Sequence, residues 1–181
     1  MIRIISGTHK GRRLQAPRNL PVRPTTDRAK ESLFNILGHD IYWPQTQVLD
    51  LFAGTGNLSY ECASRGALSV VAVDSHMGCI RFIEKTRLLL DMPITISRRD
   101  ALAFLKQCRD SFHLIFADPP YDFTESQLGE LVALCLEGTL LKEGGILVLE
   151  HSSTKDLSHL PGFTQVRKYG SSSFSFFGKE E

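Results

Sequence analysis

From residue 47 onward, the sequence alternates between short apolar segments and segments of helical length. The apolar segments, such as "QVLDLF" and "LSVVAVD", are apolar on both faces, which is typical of parallel strands covered by helices on both sides. The alternation therefore predicts an α/β fold of the doubly wound kind, with a mostly parallel sheet. We expect the intervening helices near residues 58–65, 77–90, 101–108 and 125–136.

The end of the chain departs from this alternation. "FTQVRKYG" and "SSFSFFG" have the composition of strands, and only a Gly-Ser step separates them. They predict a closing antiparallel hairpin instead of another strand–helix–strand unit. Together with the five apolar segments upstream, the hairpin completes a predicted seven-stranded sheet.

The first 24 residues predict a separate structural unit. "IRIIS" and "RRLQA" flank a glycine-bounded turn, which indicates a β-hairpin, and "LPVRP" then interrupts regular structure. Thr25 or Thr26 can cap a helix that runs to about Leu37. We therefore divide the chain into a basic hairpin arm, residues 1–24, and a main domain, residues 25–181.

Charge is distributed unevenly along the chain. Residues 1–31 carry a net charge of +6 and the other 150 residues a net charge of −5, although the whole chain is close to neutral at +1. A basic segment on an acidic body suggests a polyanionic partner, and a solvated surface segment is the alternative.

The cysteines and histidines give no sign of a metal site, and we predict none. The four cysteines are scattered without a CxxC pair, which is typical of buried, reduced thiols in the cytoplasm. The sequence shows no signal peptide, in which a basic segment precedes an apolar one, and no apolar run approaching 18 residues. We therefore expect neither secretion nor a membrane span.

A glycine loop follows the first of the parallel strands. "VLDLFAGTGNLS" combines a strand, a Gly-x-Gly turn and the start of a helix, which is where open α/β sheets bind nucleotide-like ligands. The dinucleotide fingerprint fails at its third glycine, because Ser59 occupies that position. A turn of this kind is by itself weak evidence, since many are purely structural.

Three acidic residues stand at the ends of successive strands beside this loop. Asp50 is suited to a ligand's ammonium group, Asp74 to ribose hydroxyls and Asp100 to an adenine amino group. The three acids, with no lysine around the loop, disfavour pyrophosphate and favour a cationic ligand such as S-adenosylmethionine. Each Asp alone is more often a helix cap or a turn residue, and the prediction depends on their joint occurrence.

The strand "FHLIFAD" ends abruptly in Asp118, Pro119, Pro120 and Tyr121. Prolines cannot continue a central strand and they fix φ, so this turn holds a carboxylate and an aromatic ring rigidly. The purely structural alternative is a Pro-Pro turn in which Asp118 caps a helix.

In this order, the two motifs resemble those of Rossmann-like S-adenosylmethionine-dependent methyltransferases that modify exocyclic amines. More narrowly, the chain resembles the RsmD family, which methylates the N2 amine of a guanine in small-subunit (16S) ribosomal RNA. The resemblance covers nearly the whole chain. The matching text is "RIISGTHKGRRL", "RPTTDRAKESLFNIL", "DLFAGTGNLSYECASRGA" and "DPPY".

The resemblance implies a role for each part of the site. In the DPPY turn, Asp118 and the Pro119 carbonyl would accept hydrogen bonds from the amine, and Tyr121 would stack on the base. The residues predicted to bind the cofactor are Asp50, Phe52, Ala53, Gly54, Thr55, Gly56, Asp74, Ser75, Asp100, Ala101 and Asp118. The residues predicted to bind RNA are Arg3, Lys10, Arg12, Arg13, Arg23 and Arg28.

Some features depart from the family pattern or leave alternatives open. Asp74 stands where the family usually has glutamate, and the closing hairpin lacks the acid often found after its Tyr-Gly. Thr26 and Arg28 would contact either the RNA or the methionine end of the cofactor. The expected partner is ribosomal RNA, a small ribosomal subunit or an assembly intermediate, bound by a monomer.

Other functions remain possible on the sequence alone. An adenine-N6 methyltransferase would use the same chemistry, but it needs a base-recognition element that this short chain does not visibly carry. A non-catalytic RNA-binding assembly factor could retain the fold, although the intact acids argue against it. Ser59 and the lack of a Tyr-x-x-x-Lys motif disfavour an NAD-linked dehydrogenase.

Overall fold

The computed structural model describes residues 1–23 and 25–181. Within these ranges, short helices and strands alternate as the sequence predicts. In chain order they are β1 (Ile2–Arg3), β2 (Arg13–Leu14), α1 (Asp27–Leu37), a 3-10 turn (Trp43–Gln45), β3 (Gln47–Leu51), α2 (Asn57–Ser64), β4 (Ser69–Asp74), α3 (Met77–Leu90), β5 (Ile94–Arg98), α4 (Ala101–Gln107), β6 (Phe112–Ala117), α5 (Glu125–Leu136), β7 (Leu141–Ser152), β8 (Phe163–Tyr169) and β9 (Ser172–Phe177).

The central sheet has seven strands in the order β5-β4-β3-β6-β7-β9-β8. The strands from β5 to β7 are parallel, whereas β9 is antiparallel to both β7 and β8. The predicted Rossmann-like methyltransferase fold, with its C-terminal antiparallel hairpin, is confirmed. Because the strand order reverses between β3 and β6, the loops that follow these two strands meet at the edge where such sheets bind ligands.

The two faces of the sheet form two core layers. On one face, α1, α2, α3 and the N-terminal hairpin pack against the strands, with Leu33, Tyr60 and Ile83 fully buried. On the other face, α4 and α5 pack against the sheet, with residues such as Leu105 and Leu131 in the core. The parallel strands are therefore covered on both sides, which explains their nearly continuous apolar sequence.

The N-terminal hairpin is docked on the main domain and does not project from it. Ile2 and Ile4 are buried in the first core layer. Gly7 has φ +87°, and a Cβ atom built on it would lie 1.8 Å from the backbone oxygen of Ser64 at the end of α2. Only glycine can approach that closely, so the hairpin is fixed against the helix that follows the glycine loop.

A buried carboxylate also holds the hairpin in place. The side chain of Glu61 in α2 is fully buried and accepts hydrogen bonds from the backbone N–H groups of Ile5 (2.9 Å) and Ser6 (3.1 Å). It also pairs with Lys30 (3.0 Å) and Arg65 (3.1 Å). Burial lowers the pKa of Lys30, and Glu61 opposes this effect. The four donors and their shared acceptor thus link the hairpin, α1 and α2.

Some local details differ from the sequence predictions. The regular pairing of β1 with β2 covers two residues on each side, shorter than the segments "IRIIS" and "RRLQA". The side chain of Thr26, one of the two predicted caps, accepts a hydrogen bond from the N–H of Ala29 and begins α1. Pro24, with which the predicted arm ends, lies outside the described residues. None of the helices formed by residues 1–23 and 25–181 is both long and apolar enough to cross a bilayer.

Candidate active site

The glycine loop after β3 is tightly packed and tied to the end of β4. Gly56 has φ +87°, and an added Cβ atom would lie 2.7 Å from the ring of Tyr60. The Asp74 carboxylate accepts hydrogen bonds from the N–H groups of Gly54 (2.9 Å) and His76 (2.8 Å). Asp74 therefore fixes the loop, and each of its oxygens keeps a second lone pair that can accept a ribose hydroxyl.

Asp50 is buried near the end of β3 and accepts a 2.6 Å hydrogen bond from the Ser59 hydroxyl. Its contact with a ligand's ammonium group stays a prediction. Burial raises the pKa of Asp50 to about 7. Ser59 occupies the position of the missing third glycine, so the departure from the dinucleotide fingerprint coincides with this buried pair.

Asp100 caps the helix that follows β5. Its carboxylate accepts a 2.9 Å hydrogen bond from the N–H of Ala103 and remains exposed. The predicted contact with an adenine amino group is compatible with this role, because a carboxylate has several acceptor positions. The remaining predicted cofactor residues lie in the loops or helix starts that follow β3, β4 and β5: Phe52, Ala53, Thr55, Ser75 and Ala101.

Together these groups are compatible with the predicted cofactor. The loop contains glycines whose backbone angles and close contacts leave little room for a side chain. It lies near Asp74 and Asp100, which follow the carboxyl ends of adjacent strands. Acceptor groups of this kind suit a ligand with hydroxyl, amino and cationic groups. The individual contacts stay predictions.

The DPPY turn lies directly beside the glycine loop. The N–H of Asp118 donates a 3.4 Å hydrogen bond to the carbonyl oxygen of Leu51, the last residue of β3. Burial raises the pKa of Asp118 to about 8, and the negative charge of Glu150 adds to the effect, whereas the charge of Arg23 opposes it. The carboxyl group therefore has an unusually high proton affinity and is poised to exchange a proton near neutral pH.

Tyr121 is held by contacts on its hydroxyl and on its ring. The hydroxyl lies 2.9 Å from Ser172 Oγ at the start of β9, and the ring is 41% exposed. The guanidinium carbon of Arg23 lies 3.4 Å from the ring centroid. This cation–π contact occupies one face of the ring that was predicted to stack on a base, and it places Arg23 in the site although it was predicted as an RNA-binding residue.

Two further residues of the site were missed by the sequence analysis. Glu150, near the end of β7, is buried beside Asp118, and Ser172 contacts Tyr121. Glu150 carries the same signal as Asp50, Asp74 and Asp100, an acid at the end of an apolar strand, and could have been found by it. Ser172 gives no such signal, because its position depends on how the closing hairpin pairs.

The other predicted RNA-binding residues lie in or near the N-terminal hairpin. Lys10, Arg12 and Arg13 are exposed along its turn and second strand. Arg3 forms an exposed 3.0 Å ion pair with Asp27 at the start of α1. Arg28 is exposed on the first turn of the same helix. Their RNA contacts stay predictions.

Comparison with known proteins assigns the chain to a family. Residues 2–178 match the family model described as Conserved hypothetical protein 95. YlbH of Bacillus subtilis is 35% identical over 186 residues, which cover 98% of this chain and 99% of that protein. Ribosomal RNA small subunit methyltransferase D of Escherichia coli K12 is 32% identical, over 88% of this chain and 79% of that protein.

A solved structure extends the similarity to three dimensions. The structure of a hypothetical protein from Thermus thermophilus has a TM-score of 0.85 and 26% identity, and the alignment covers 98% of this chain and 99% of that one. Sequence and structure thus agree over almost the full length of the chain, and the predicted resemblance is confirmed. The chain belongs to the RsmD family of methyltransferases.

Proposed function

We propose that this protein transfers a methyl group from S-adenosylmethionine to the exocyclic N2 amine of a guanine in small-subunit ribosomal RNA. The observation that carries the proposal is the Asp118–Leu51 backbone hydrogen bond, which joins the DPPY turn to the end of β3, where the glycine loop begins. An amine bound at Asp118 would therefore lie next to a cofactor bound at the loop. The E. coli and Haemophilus influenzae relatives named ribosomal RNA small subunit methyltransferase D support the substrate class.

The amine needs activation, because the base delocalises its lone pair. In the proposed mechanism, Asp118 and the Pro119 carbonyl accept its two N–H bonds and hold the nitrogen so that its lone pair is localised. Pro119 and Pro120 lack N–H groups that could compete for these acceptors, and they make the turn rigid. Such preorganisation lowers the barrier chiefly through position and electrostatics.

When bound, the cofactor supplies an electrophilic methyl group on a sulfonium centre. The methyl group would pass to the N2 nitrogen and leave its bonding electrons on sulfur, and the Asp118 carboxylate or solvent would take up the N2 proton that is released. The high proton affinity of Asp118 suits this role. Hydrogen bonds donated by the substrate amine favour the ionised carboxylate, so substrate binding prepares the acceptor.

Tyr121 provides the surface on which the base would stack. Stacking on an aromatic side chain contributes about 1–3 kcal/mol per base. Because Arg23 lies over the ring, a base that uses this face has to displace the guanidinium. Arg23 would then be free to meet a phosphate of the same RNA, which reconciles its position in the site with its predicted RNA contact.

The remaining parts of the proposal concern the partner. The exposed cations of the hairpin would contact phosphates, which give affinity and register but no sequence recognition. We place the protein in the cytoplasm as a monomer acting on ribosomal RNA, on an assembly intermediate or on the small subunit, without a metal ion.

The test of the proposal is direct. The purified protein is incubated with methyl-labelled S-adenosylmethionine and small ribosomal particles, and the RNA is digested to nucleosides. We expect the label in N2-methylguanosine. Label in N6-methyladenosine would favour the adenine alternative instead. No label in these particles, nor in naked ribosomal RNA incubated in parallel, would favour the non-catalytic assembly factor.

Neutralising Arg12 and Arg13 together to Gln tests the RNA-binding role of the hairpin. Each lost phosphate contact removes about 0.7–0.9 from the slope of log affinity against log salt. We expect the slope to fall by about 1.5 in filter-binding or fluorescence titrations, with cofactor binding unchanged. Lys106→Gln with Arg109→Gln, exposed at the end of α4, is the matched control. If wild type and the hairpin variant had equal slopes, Arg12 and Arg13 would not contact RNA phosphates.

A further inference from the structure

Glu150 is a buried acid with an unused acceptor in the proposed site. Its exposed fraction is 7%, and its Oε2 atom has no hydrogen-bond partner within residues 1–23 and 25–181. A buried polar atom left without a partner usually costs about 1–3 kcal/mol, and more when the group is charged. Buried acceptors without a structural partner are rare enough that each needs an explanation.

The sheet places Glu150 level with Asp118. Ala117 of β6 lies opposite Leu149 of β7 in the parallel register, so the next residues along, Asp118 and Glu150, also lie side by side. Neighbouring strands are about 4.8 Å apart. The two carboxyl groups therefore form a pair of acceptors at the end of the sheet where the target base is expected.

The surroundings of Glu150 favour a ligand with hydrogen-bond donors. Burial raises the pKa of Glu150, and Arg23 and the hydroxyls of Ser172 and Thr25 oppose this effect. Arg23 is the cation that a stacking base would displace from Tyr121. Once Arg23 has moved, its positive charge no longer offsets the two carboxyl groups. Hydrogen-bond donors on the base would compensate for that loss.

We propose that Glu150 determines the choice of base by accepting the N1–H hydrogen bond of guanine while Asp118 receives the N2 amine. The proposal depends on the proposed function. Guanine presents N1–H and N2–H donors side by side, whereas adenine presents an N1 acceptor next to its amine. A carboxylate has no donor, so it pairs with the guanine edge and repels that of adenine. In this arrangement Glu150 recognises the base and Asp118 receives the amine that is methylated.

The test uses two bases that differ at N1. After the methylated nucleotide has been mapped, a synthetic RNA of that segment carries either guanine or 2-aminopurine there. 2-Aminopurine keeps the N2 amine but has an acceptor at N1. A site built around a hydrogen bond strongly rejects an analogue that lacks it. We therefore expect wild type to prefer guanine in kcat/KM by about a hundredfold or more.

Glu150→Gln should reverse much of this preference. The amide can offer its NH2 group to N1 of 2-aminopurine and its oxygen to the neighbouring N–H. We expect activity on guanine to fall and the guanine to 2-aminopurine ratio to decrease at least about tenfold relative to wild type. Glu143→Gln, on the same strand with a side chain 86% exposed, is the matched control and should keep the wild-type ratio. Glu150→Asp retains a carboxylate and should still prefer guanine.

The outcomes separate the two proposals. Methylated guanine with the same ratio in wild type and Glu150→Gln would overturn the role of Glu150 alone, even if both activities fell together. A Glu150→Asp protein that prefers 2-aminopurine would also overturn the role of Glu150. This variant tests the role even if Glu150→Gln does not fold. Label in adenine instead of guanine would overturn both the proposed function and this assignment.

Discussion

Replacing Asp118 by Asn is expected to reduce methyl transfer by about 10²–10³-fold, the range typical for the loss of one preorganised electrostatic group. Asn has the size of Asp, but it cannot take up the proton released from the amine. It also has only one oxygen that can accept a hydrogen bond from the amine. Cofactor affinity, measured by calorimetry, should change by less than about threefold, because the glycine loop and Asp74 remain intact. Single-turnover rates on ribosomal particles measure the loss.

The same variant is expected to be more stable than wild type. Burial and Glu150 raise the pKa of Asp118 to about 8 from its ordinary value of 3.8. Between these values the folded protein retains a proton that the unfolded chain releases, so wild-type stability decreases as the pH rises. The variant removes one member of the coupled Asp118–Glu150 pair, so its advantage in Tm should be small near pH 4 and grow as the pH rises toward neutrality.

Asp122→Asn provides the control for both measurements, since Asp122 is exposed in the same turn. It should transfer methyl groups and unfold like wild type. An Asp118→Asn protein with wild-type activity would refute the assigned role. A Tm advantage that does not vary between pH 4 and 8 would show that Asp118 is not the group whose titration destabilises the fold.

Replacing Glu61 by Gln is expected to destabilise the protein by about 3–5 kcal/mol, as when one partner of a buried ion pair is removed. Lys30 and Glu61 are both fully buried. In either orientation the Gln NH2 group would face a donor, because both carboxylate oxygens of Glu61 accept hydrogen bonds. For a chain of this length, the loss corresponds to a decrease in Tm of roughly 10 °C, measurable by thermal unfolding.

Two variants test the cause of that loss. Glu31→Gln alters an exposed glutamate on the same helix as Lys30 and should change stability by less than about 0.5 kcal/mol. Adding Lys30→Met to Glu61→Gln removes the unpaired charge and should recover a substantial part of the lost stability. If the double variant were as unstable as Glu61→Gln, the cost would come from lost hydrogen bonds, including those that Lys30 donates to Arg3 and Asn57, and not from the unpaired positive charge.

The fold was largely predictable because its signals are local. Apolar strands separated by helix-length segments indicated the parallel sheet, and the Gly-Ser step between the last two strands indicated the hairpin. The docking of the N-terminal hairpin was not predictable, since it depends on the contact of Gly7 with Ser64 and on Glu61, which are more than 50 residues away in sequence. Pairings over such distances leave no pattern within a short window.

The candidate site was predictable where one motif contains its own geometry. The DPPY turn and the glycine loop were found from their prolines and glycines, because these residues restrict or permit particular backbone angles. The partner of Asp50 and the position of Arg23 over Tyr121 could not be found in this way. Both depend on side chains from separate elements that meet only after folding.

The strand order has a consequence for how the protein is made. β9 lies between β7 and β8 although it follows both in the chain, so β8 has no place in the sheet until β9 has been synthesised. Chains emerge from the ribosome in sequence order, and the parallel strands β3 to β7 are therefore available before β9, which begins with Ser172. A nascent chain would thus acquire the glycine loop and the DPPY turn first, and the contact between Ser172 and Tyr121 only near the end of translation.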